Sequence, residues 1–388
     1  MKQHHKIHRL KESFLLNMKR QEKNDSHLLL FWKGRVALYC LLKSLDLKPD
    51  DEIIVQGLTC VVVPNAIIYA GLTPVYVDIN PDSYNMDVNL IEQKITKRTK
   101  AIIIQNTFGL STNVEDIIAI AKTYQLITID DCTHGFGGRY GNHPNGSFTD
   151  AAFFSSQWNK PFSTGLGGYL MINNPKLVTP VTELYRTYQS PTWIESFKLL
   201  VLIKVKQWAI SDRTYWFFLT LYRWLSNRNL IIGSSQGEEL CTLKKPQGYE
   251  KKMGWAQINA GIQSLKEIHG ILSKRKKTAM VYGRWLKSNN KTHVDDRYHH
   301  NHSWLKYPIR VKNRAHFFKL AQESNITLGD WFVSPLHPIK DDWHRWMFTA
   351  DDCPNARNAA KELVSLETDC NVPQRVIDFL EQHKHYVL

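Results

Sequence analysis

The feature that most constrains this chain is an alternation, between residues 52 and 173, of short apolar runs with amphipathic stretches. "EIIVQ" (52–56), "PVYVDI" (74–79), "AIIIQ" (101–105), "LITID" (126–130), "AAFFSS" (151–156) and "GGYLMIN" (167–173) are each predicted to be strands. Several are apolar almost throughout, as strands buried on both faces are. The intervening patterns are helical. Val36, Ala37, Cys40, Leu41 and Leu45 share one face ahead of the first strand. "CVVVPNAIIYAG" has the length of a helix and ends at Gly71, and "LIEQKI" (90–95) is expected to be another. "NVEDIIAIAKTY" (113–124) opens on a capping Asn113 with acids in its first turn. This order predicts an α/β fold whose mainly parallel sheet is covered by helices on both faces. In such sheets ligands bind beyond the carboxyl ends of the strands, where Asn106, Asp131 and Lys160 fall.

At 388 residues the chain is too long for one core and should form two lobes. Residues 1–30 are polar and charged and are expected to be an arm. Residues 31–245 form the large domain, in which a stretch at about 183–240 breaks the alternation. Residues 246–388 are a smaller α+β domain. Its expected elements are helices at 254–268 and 270–287, a strand "LKYPIRV" (305–311), a helix at 313–323, and helical segments at 355–366 and 372–384.

The net charge of +14 is concentrated in the first 23 residues and in about 180–290. Such a surface suits an anionic substrate or an anionic membrane, or is simply a solvated face. No helix-turn-helix or zinc-finger pattern points to nucleic acid. The six cysteines form no CxxC pair and read as reduced thiols of a cytosolic protein, with no metal site expected. The basic N-terminus lacks the apolar core of a secretory signal, and no apolar run reaches spanning length. Two segments of the interrupting stretch, "WIESFKLLVLIKVKQWAI" and "RTYWFFLTLYRWLSNRNLI", interleave aromatics with Lys and Arg. Two readings are open: peripheral attachment of 183–232 to the inner face of a membrane, or a lid or dimer-packing element that buries these rings.

Three motifs carry chemistry. In "FFSSQWNKPFSTGLGG", Lys160 follows a buried strand and precedes a glycine-rich turn. A lysine reacts with a carbonyl only when neutral, and burial or a nearby cation lowers its pKa. On its own such a lysine is ordinary surface. In "ITIDDCTHGFGG", Asp130 and Asp131 end an apolar strand and must point to opposite faces, so one can meet a ligand. A carboxylate there needs a cationic partner, and a protonated pyridine nitrogen would be one. In "WKGRVALYCLL", Gly34 lets a ligand approach a helix N-terminus, a setting that suits a phosphate.

Together these motifs resemble the DegT/DnrJ/EryC1/StrS family of pyridoxal-phosphate (PLP)-dependent sugar aminotransferases. The resemblance runs from about residue 30 to the C-terminus with a gap at roughly 180–245. "PVYVDINPDSYNMD", "ITKRTKAIIIQNTFG", "EKKMGWAQINAGIQSL", "SPLH" and "CPNARNAAKELVSL" match in order. It implies fold type I, with a seven-stranded type of sheet and a smaller C-terminal domain. It implies a transaminase moving an amino group, from glutamate in the first instance, to a nucleotide-linked keto-sugar for surface polysaccharide or a related glycan. By resemblance, Lys160 forms the Schiff base, Asp131 faces the pyridine nitrogen and His134 lies beside the ring. Ser155, with the backbone of Gly34 and Arg35, binds the phosphate. A homodimer is also implied, with a segment near Tyr249–Met253 reaching across. Four positions depart from the pattern. Arg35 replaces a small hydroxyl residue and points either to phosphate or substrate, or to solvent. Cys60 replaces an aromatic ring against the cofactor face, Pro161 an asparagine, and Leu166 a glutamate. A dehydratase of the same fold or a non-enzymatic PLP-binding regulator are the alternatives. Histidine tends to replace the lysine in dehydratases, so Lys160 counts against the first.

Overall fold

A computed structural model of the chain describes residues 2–18, 27–111, 114–209, 214, 220, 221, 224, 237–296 and 300–388. Its central sheet is built from β1 (Leu28–Phe31), β2 (Glu52–Gln56), β4 (Thr73–Val77), β5 (Thr99–Gln105), β6 (Ile127–Asp131), β9 (Ala151–Ser155) and β10 (Gly168–Ile172). The spatial order is β1-β10-β9-β6-β5-β2-β4. β10 is antiparallel to β9 and to β1, and the other pairings are parallel. Each parallel strand feeds two cores, because its side chains alternate between the faces. Ile53, Ile103 and Phe153 enter one core, whereas Ile54, Ile102, Ile104 and Phe154 turn the other way.

Helices α2 (Gly34–Ser44), α3 (Val62–Tyr69) and α5 (Pro175–Thr187) cover the first face, and α4 (Val114–Thr123) covers part of the second. A short parallel pair joins β3 (Thr59–Cys60) to β13 (Leu336–His337), and a hairpin joins β7 (Arg139–Tyr140) to β8 (His143–Pro144). After α6 (Trp193–Ala209) and α7 (Gly237–Cys241) comes α8 (Trp255–Ser288). A second antiparallel sheet, β11 (Lys306–Arg310), β14 (Leu363–Glu367) and β12 (Leu328–Gly329), carries α9 (Arg314–Glu323), α10 (Pro354–Glu362) and α11 (Pro373–Gln382).

Several elements differ from expectation. The expected N-terminal arm contains α1 (Lys2–Asn17), whose Leu10, Phe14 and Leu15, with the adjoining Met18, are buried against α8 and the sheet. Phe14 stacks on Tyr169 with centroids 4.7 Å apart. These residues share one helical face that the surrounding charges hide from a compositional reading. Residues 28–30, placed in the same arm, form the edge strand β1 together with Phe31. The segment 90–95 forms two 3-10 turns, with Asp87 capping the first through the amide of Asn89. The two helices expected at 254–268 and 270–287 are one continuous helix. Gly270 faces open space, and a lone glycine inside a helix costs about 1 kcal/mol without ending it. The helix expected at 355–366 stops at Glu362, because Leu363–Glu367 pairs with β11. Most of the second aromatic segment of the interrupting stretch lies outside the described residues.

Tyr249–Met253 lies along β1 of its own chain. Trp32 donates its amide to the Lys251 carbonyl at 3.0 Å, and Met253 donates to that of Leu30 at 3.1 Å.

Candidate active site

The carboxyl ends of β5, β6 and β9 converge on one edge of the sheet. In register, Asp130 aligns with Ile104 and Ala152, and Asp131 with Gln105 and Phe153, so the two carboxylates leave on opposite faces. Asp130 is wholly buried. It accepts from Asn106 Nδ2 and from the Gly146 amide, each at 2.7 Å. Burial raises its pKa to about 7 in spite of those donors. Asp131 accepts from the Thr133 amide at 2.9 Å, and burial raises its pKa while Thr133 and the nearby Lys160 oppose the rise.

Lys160 sits in the turn after β9, partly exposed, with its amide donating to the Gln157 carbonyl at 3.1 Å. Burial lowers its pKa to about 8. Cys60 and Asp131 pull it upward, and Arg35 and Lys306 push it down. An amine in this state is neutral in a large fraction of molecules near pH 8, which is what attack on a carbonyl needs. Its Nζ lies 4.7 Å from the centre of the Trp331 ring. Trp331 also stacks on His134, with centroids 4.5 Å apart and planes 10° from parallel. His134 Nδ1 accepts from the Phe108 amide at 3.2 Å, which places the proton of the neutral ring on Nε2. Burial, then Lys160, Lys306 and His337, hold its pKa well below the usual imidazole range.

Gly34 begins α2 against the end of β9. A Cβ there would lie 3.0 Å from Ser155 Cβ and 3.1 Å from the Phe154 carbonyl oxygen, so only glycine lets the helix start so close to that strand. Lys33, the preceding residue, supplies no side-chain cap. Helix start and serine thus form a small cradle with the donors and dipole that bind phosphate monoesters. Arg35 is buried and does not point to solvent. Its Nη1 donates to Glu239 Oε2 at 2.6 Å, and Lys33 Nζ lies 3.8 Å from the same oxygen. Burial lowers the Lys33 pKa to about 8, with Glu239 pulling it back up. Asn65 Nδ2 fixes the Glu239 carbonyl at 2.7 Å.

The structure therefore brings together all seven residues singled out in the sequence: Lys160, Asp131, His134, Cys60, Ser155, Gly34 and Arg35. A near-neutral lysine, a buried carboxylate on the same face and a glycine-opened helix start beside a serine fit PLP. The profile of the DegT/DnrJ/EryC1/StrS aminotransferase family matches residues 23–194 and 228–378.

The chain belongs to that family.

Among relatives, GDP-perosamine synthase of Escherichia coli O157:H7 is 40% identical over 144 residues, or 37% of this chain and 40% of the relative. The UDP-2-acetamido-2-deoxy-3-oxo-D-glucuronate aminotransferase of Pseudomonas aeruginosa is 35% identical over 39% of this chain and 43% of its own length. Both matches thus span less than half of the relative. The solved structure of ntda from Bacillus subtilis, described with bound cofactor PMP, superposes with a TM-score of 0.67 at 19% identity, covering 97% of this chain and 76% of that one. At that identity the likeness is one of fold: a mainly parallel seven-stranded sheet flanked by helices.

Four site neighbours were not picked out in the sequence. Trp331 stands three residues ahead of "SPLH", where an aromatic near a family mark was the available signal. Lys306 faces the site from β11, and a lysine opening the strand "KYPIR" was visible. Lys206 lies in the gap of the family match and Glu239 just past it, and nothing local marks either.

Proposed function

We propose that this chain is a PLP-dependent aminotransferase that moves an amino group from an amino acid, glutamate in the first instance, to a nucleotide-linked keto-sugar. The product would serve surface polysaccharide or a related glycan. The observation that carries this reading is Lys160, its pKa lowered to about 8, facing Asp131 at the strand ends beside the Gly34–Ser155 cradle. When bound, PLP supplies an electron sink for carbanion chemistry at an amino acid's α-carbon.

The chain's residues would do the rest. Ser155 and the first amides of α2, at Gly34 and Arg35, hold the phosphate. The Lys160 amine anchors the cofactor. The free Lys160 amine would move the proton at the donor's α-carbon. Asp131, kept dry at the end of β6, favours a protonated pyridine nitrogen. His134, neutral and fixed by Phe108 and Trp331, sets one edge of the ring pocket. Cys60 offers less stacking surface than an aromatic would, and Trp331 supplies an aromatic wall from the other lobe.

The deciding experiment is the visible spectrum of the cofactor-loaded protein. Glutamate should shift the absorption band, and a nucleotide-linked keto-sugar should restore it. Cofactor binding with no response to any amino donor would favour a regulator instead.

We also propose a homodimer in the cytoplasm with peripheral membrane contact through 183–232. No helix among the described residues is long and apolar enough to cross a membrane. What supports contact is the outer face of α6, where Trp193 is 67% and Trp208 87% exposed, with Phe197, Val201 and Val205 between them. Lys198 and Lys204 flank this ridge and are exposed. Aromatics with flanking lysines suit an anionic headgroup layer. Co-sedimentation with phosphatidylglycerol vesicles at low salt should retain the chain, and a Trp193→Ser/Trp208→Ser variant should stay in solution. A wild-type chain that stays in solution would rule the contact out.

A further inference from the structure

The inner face of α6 is unlike its outer face. Ser196, Leu199 and Ile203 are buried at helical spacing. Leu199 and Ile203 pack with Trp32 and Leu166, against Trp158. The turn that carries Lys160 lies directly beneath. A Cβ built at Gly165 would fall 2.9 Å from Ile203 Cγ1, 3.0 Å from Trp158 Cη2 and 3.1 Å from Leu199 Cδ1, so α6 presses on the backbone of that turn. Leu166, wholly buried, stands where the family pattern has a glutamate. Under α6 a carboxylate at 166 would have to enter an apolar cluster without a partner, which burial disfavours. Leucine at 166 thus suits the apolar underside of α6.

The same helix delivers a cation to the turn. Lys206 Nζ donates to the Trp158 carbonyl at 2.5 Å and lies 5.4 Å from the centre of the Trp158 ring. Across the turn, Arg275 Nη1 from α8 donates to the Pro161 carbonyl at 3.3 Å. Two cations from two helices therefore hold carbonyls on either side of Lys160, while the turn closes on itself from the Lys160 amide to the Gln157 carbonyl. Lys206 also senses Glu367 and Lys306, an ion pair whose lysine Nζ lies 5.9 Å from the centre of the Trp331 ring. Lys160, Trp331, Lys306 and Glu367 form one run of contacts, and Lys206 holds Trp158 on the other side of the turn.

We propose that Lys206 is a positioning residue for Lys160. It fixes the Trp158 carbonyl and so sets where the Lys160 amine stands, which makes α6 part of the site's machinery and not only a cover. This rests on the assignment of Lys160 as the reacting lysine.

The test compares the wild type with Lys206→Met, which keeps the apolar stem, and Lys206→Arg, which restores a donor. Two readouts are taken. In cofactor-free protein, amide hydrogen exchange at 157–162 should be at least about tenfold faster in Lys206→Met and near wild type in Lys206→Arg, with exchange in β5 and β6 unchanged. In loaded protein, the half-reaction with glutamate should slow about 10- to 100-fold in Lys206→Met, with the KM for glutamate within about twofold, and Lys206→Arg should recover most of the rate. Unchanged exchange at 157–162 overturns the proposal. So does a general rise across the sheet that arginine fails to reverse, since that marks a packing residue. If the wild type ignores every amino donor, the proposed function fails, yet the exchange experiment still decides the role of Lys206.

Discussion

Arg35 and Glu239 form a buried ion pair, Nη1 to Oε2 at 2.6 Å, between the first turn of α2 and the short helix α7. The pair ties α7, which follows the gap at 195–227 in the family match, to the start of the phosphate cradle. Removing one partner strands the other charge away from water. Glu239→Ala should destabilise the chain by about 3–5 kcal/mol, because Arg35 and Lys33 both lose their counter-charge. Adding Arg35→Ala should recover part of that loss. Urea denaturation of the two single variants and the double variant gives the coupling. Additive losses would show that the pair is not coupled.

Lys160 should make capture of added cofactor pH-dependent. With its pKa lowered to about 8 by burial, the neutral amine accumulates as pH rises through 8. The capture rate should rise through that range and level off above it. A rise centred near 10.5, the value of an exposed lysine, would mean that burial does not act on this amine.

Trp331 lies against Lys160 at 4.7 Å from its ring centre, and an aromatic face favours the charged ammonium by about 0.5–2 kcal/mol. Trp331→Leu should therefore move the midpoint of that capture profile downward, by about half a unit to one unit. An upward shift would contradict the geometry.

Asp130 and Asp131 should separate cleanly. Asp131→Asn should slow transamination by at least about 100-fold while leaving cofactor binding in place, since the ring nitrogen loses its anionic partner. Asp130→Asn should act on stability instead, because its NH2 would face one of the two donors, Asn106 Nδ2 or the Gly146 amide, that each reach a separate Asp130 oxygen. The folded Asp130 holds a proton to about pH 7, whereas the ordinary group releases it near 3.8. Its contribution to stability is thus full below about pH 4 and declines as pH rises to 7. Asp130→Asn should flatten that part of the stability curve. Equal turnover losses in the two variants would contradict the assignment of faces.

Much of this arrangement was legible because the parallel strands are apolar along their whole length and end in polar residues. "LITID" followed by Asp131, and "AAFFSS" followed by Lys160, announce both the sheet and its functional edge. The N-terminal helix was not legible, because Leu10, Phe14 and Leu15 are scattered among Lys, His and Arg and reveal themselves only against Tyr169 and α8. β14 was missed because its pairing with β11 overrides a continuing helical pattern. Within the site, residues fixed by strand alternation and by glycine contact were found. Those arriving from distant segments depend on how the chain folds back: Glu239 and Lys206 carry no local mark, and Trp331 offers only its place just ahead of "SPLH".

The most direct test of the account is reduction of the PLP-loaded protein with borohydride, followed by peptide mapping. The account predicts cofactor fixed covalently to the peptide that contains Lys160, and no fixation in Lys160→Ala. Labelling at Lys206, Lys306 or any other lysine, or unchanged fixation in Lys160→Ala, would contradict it.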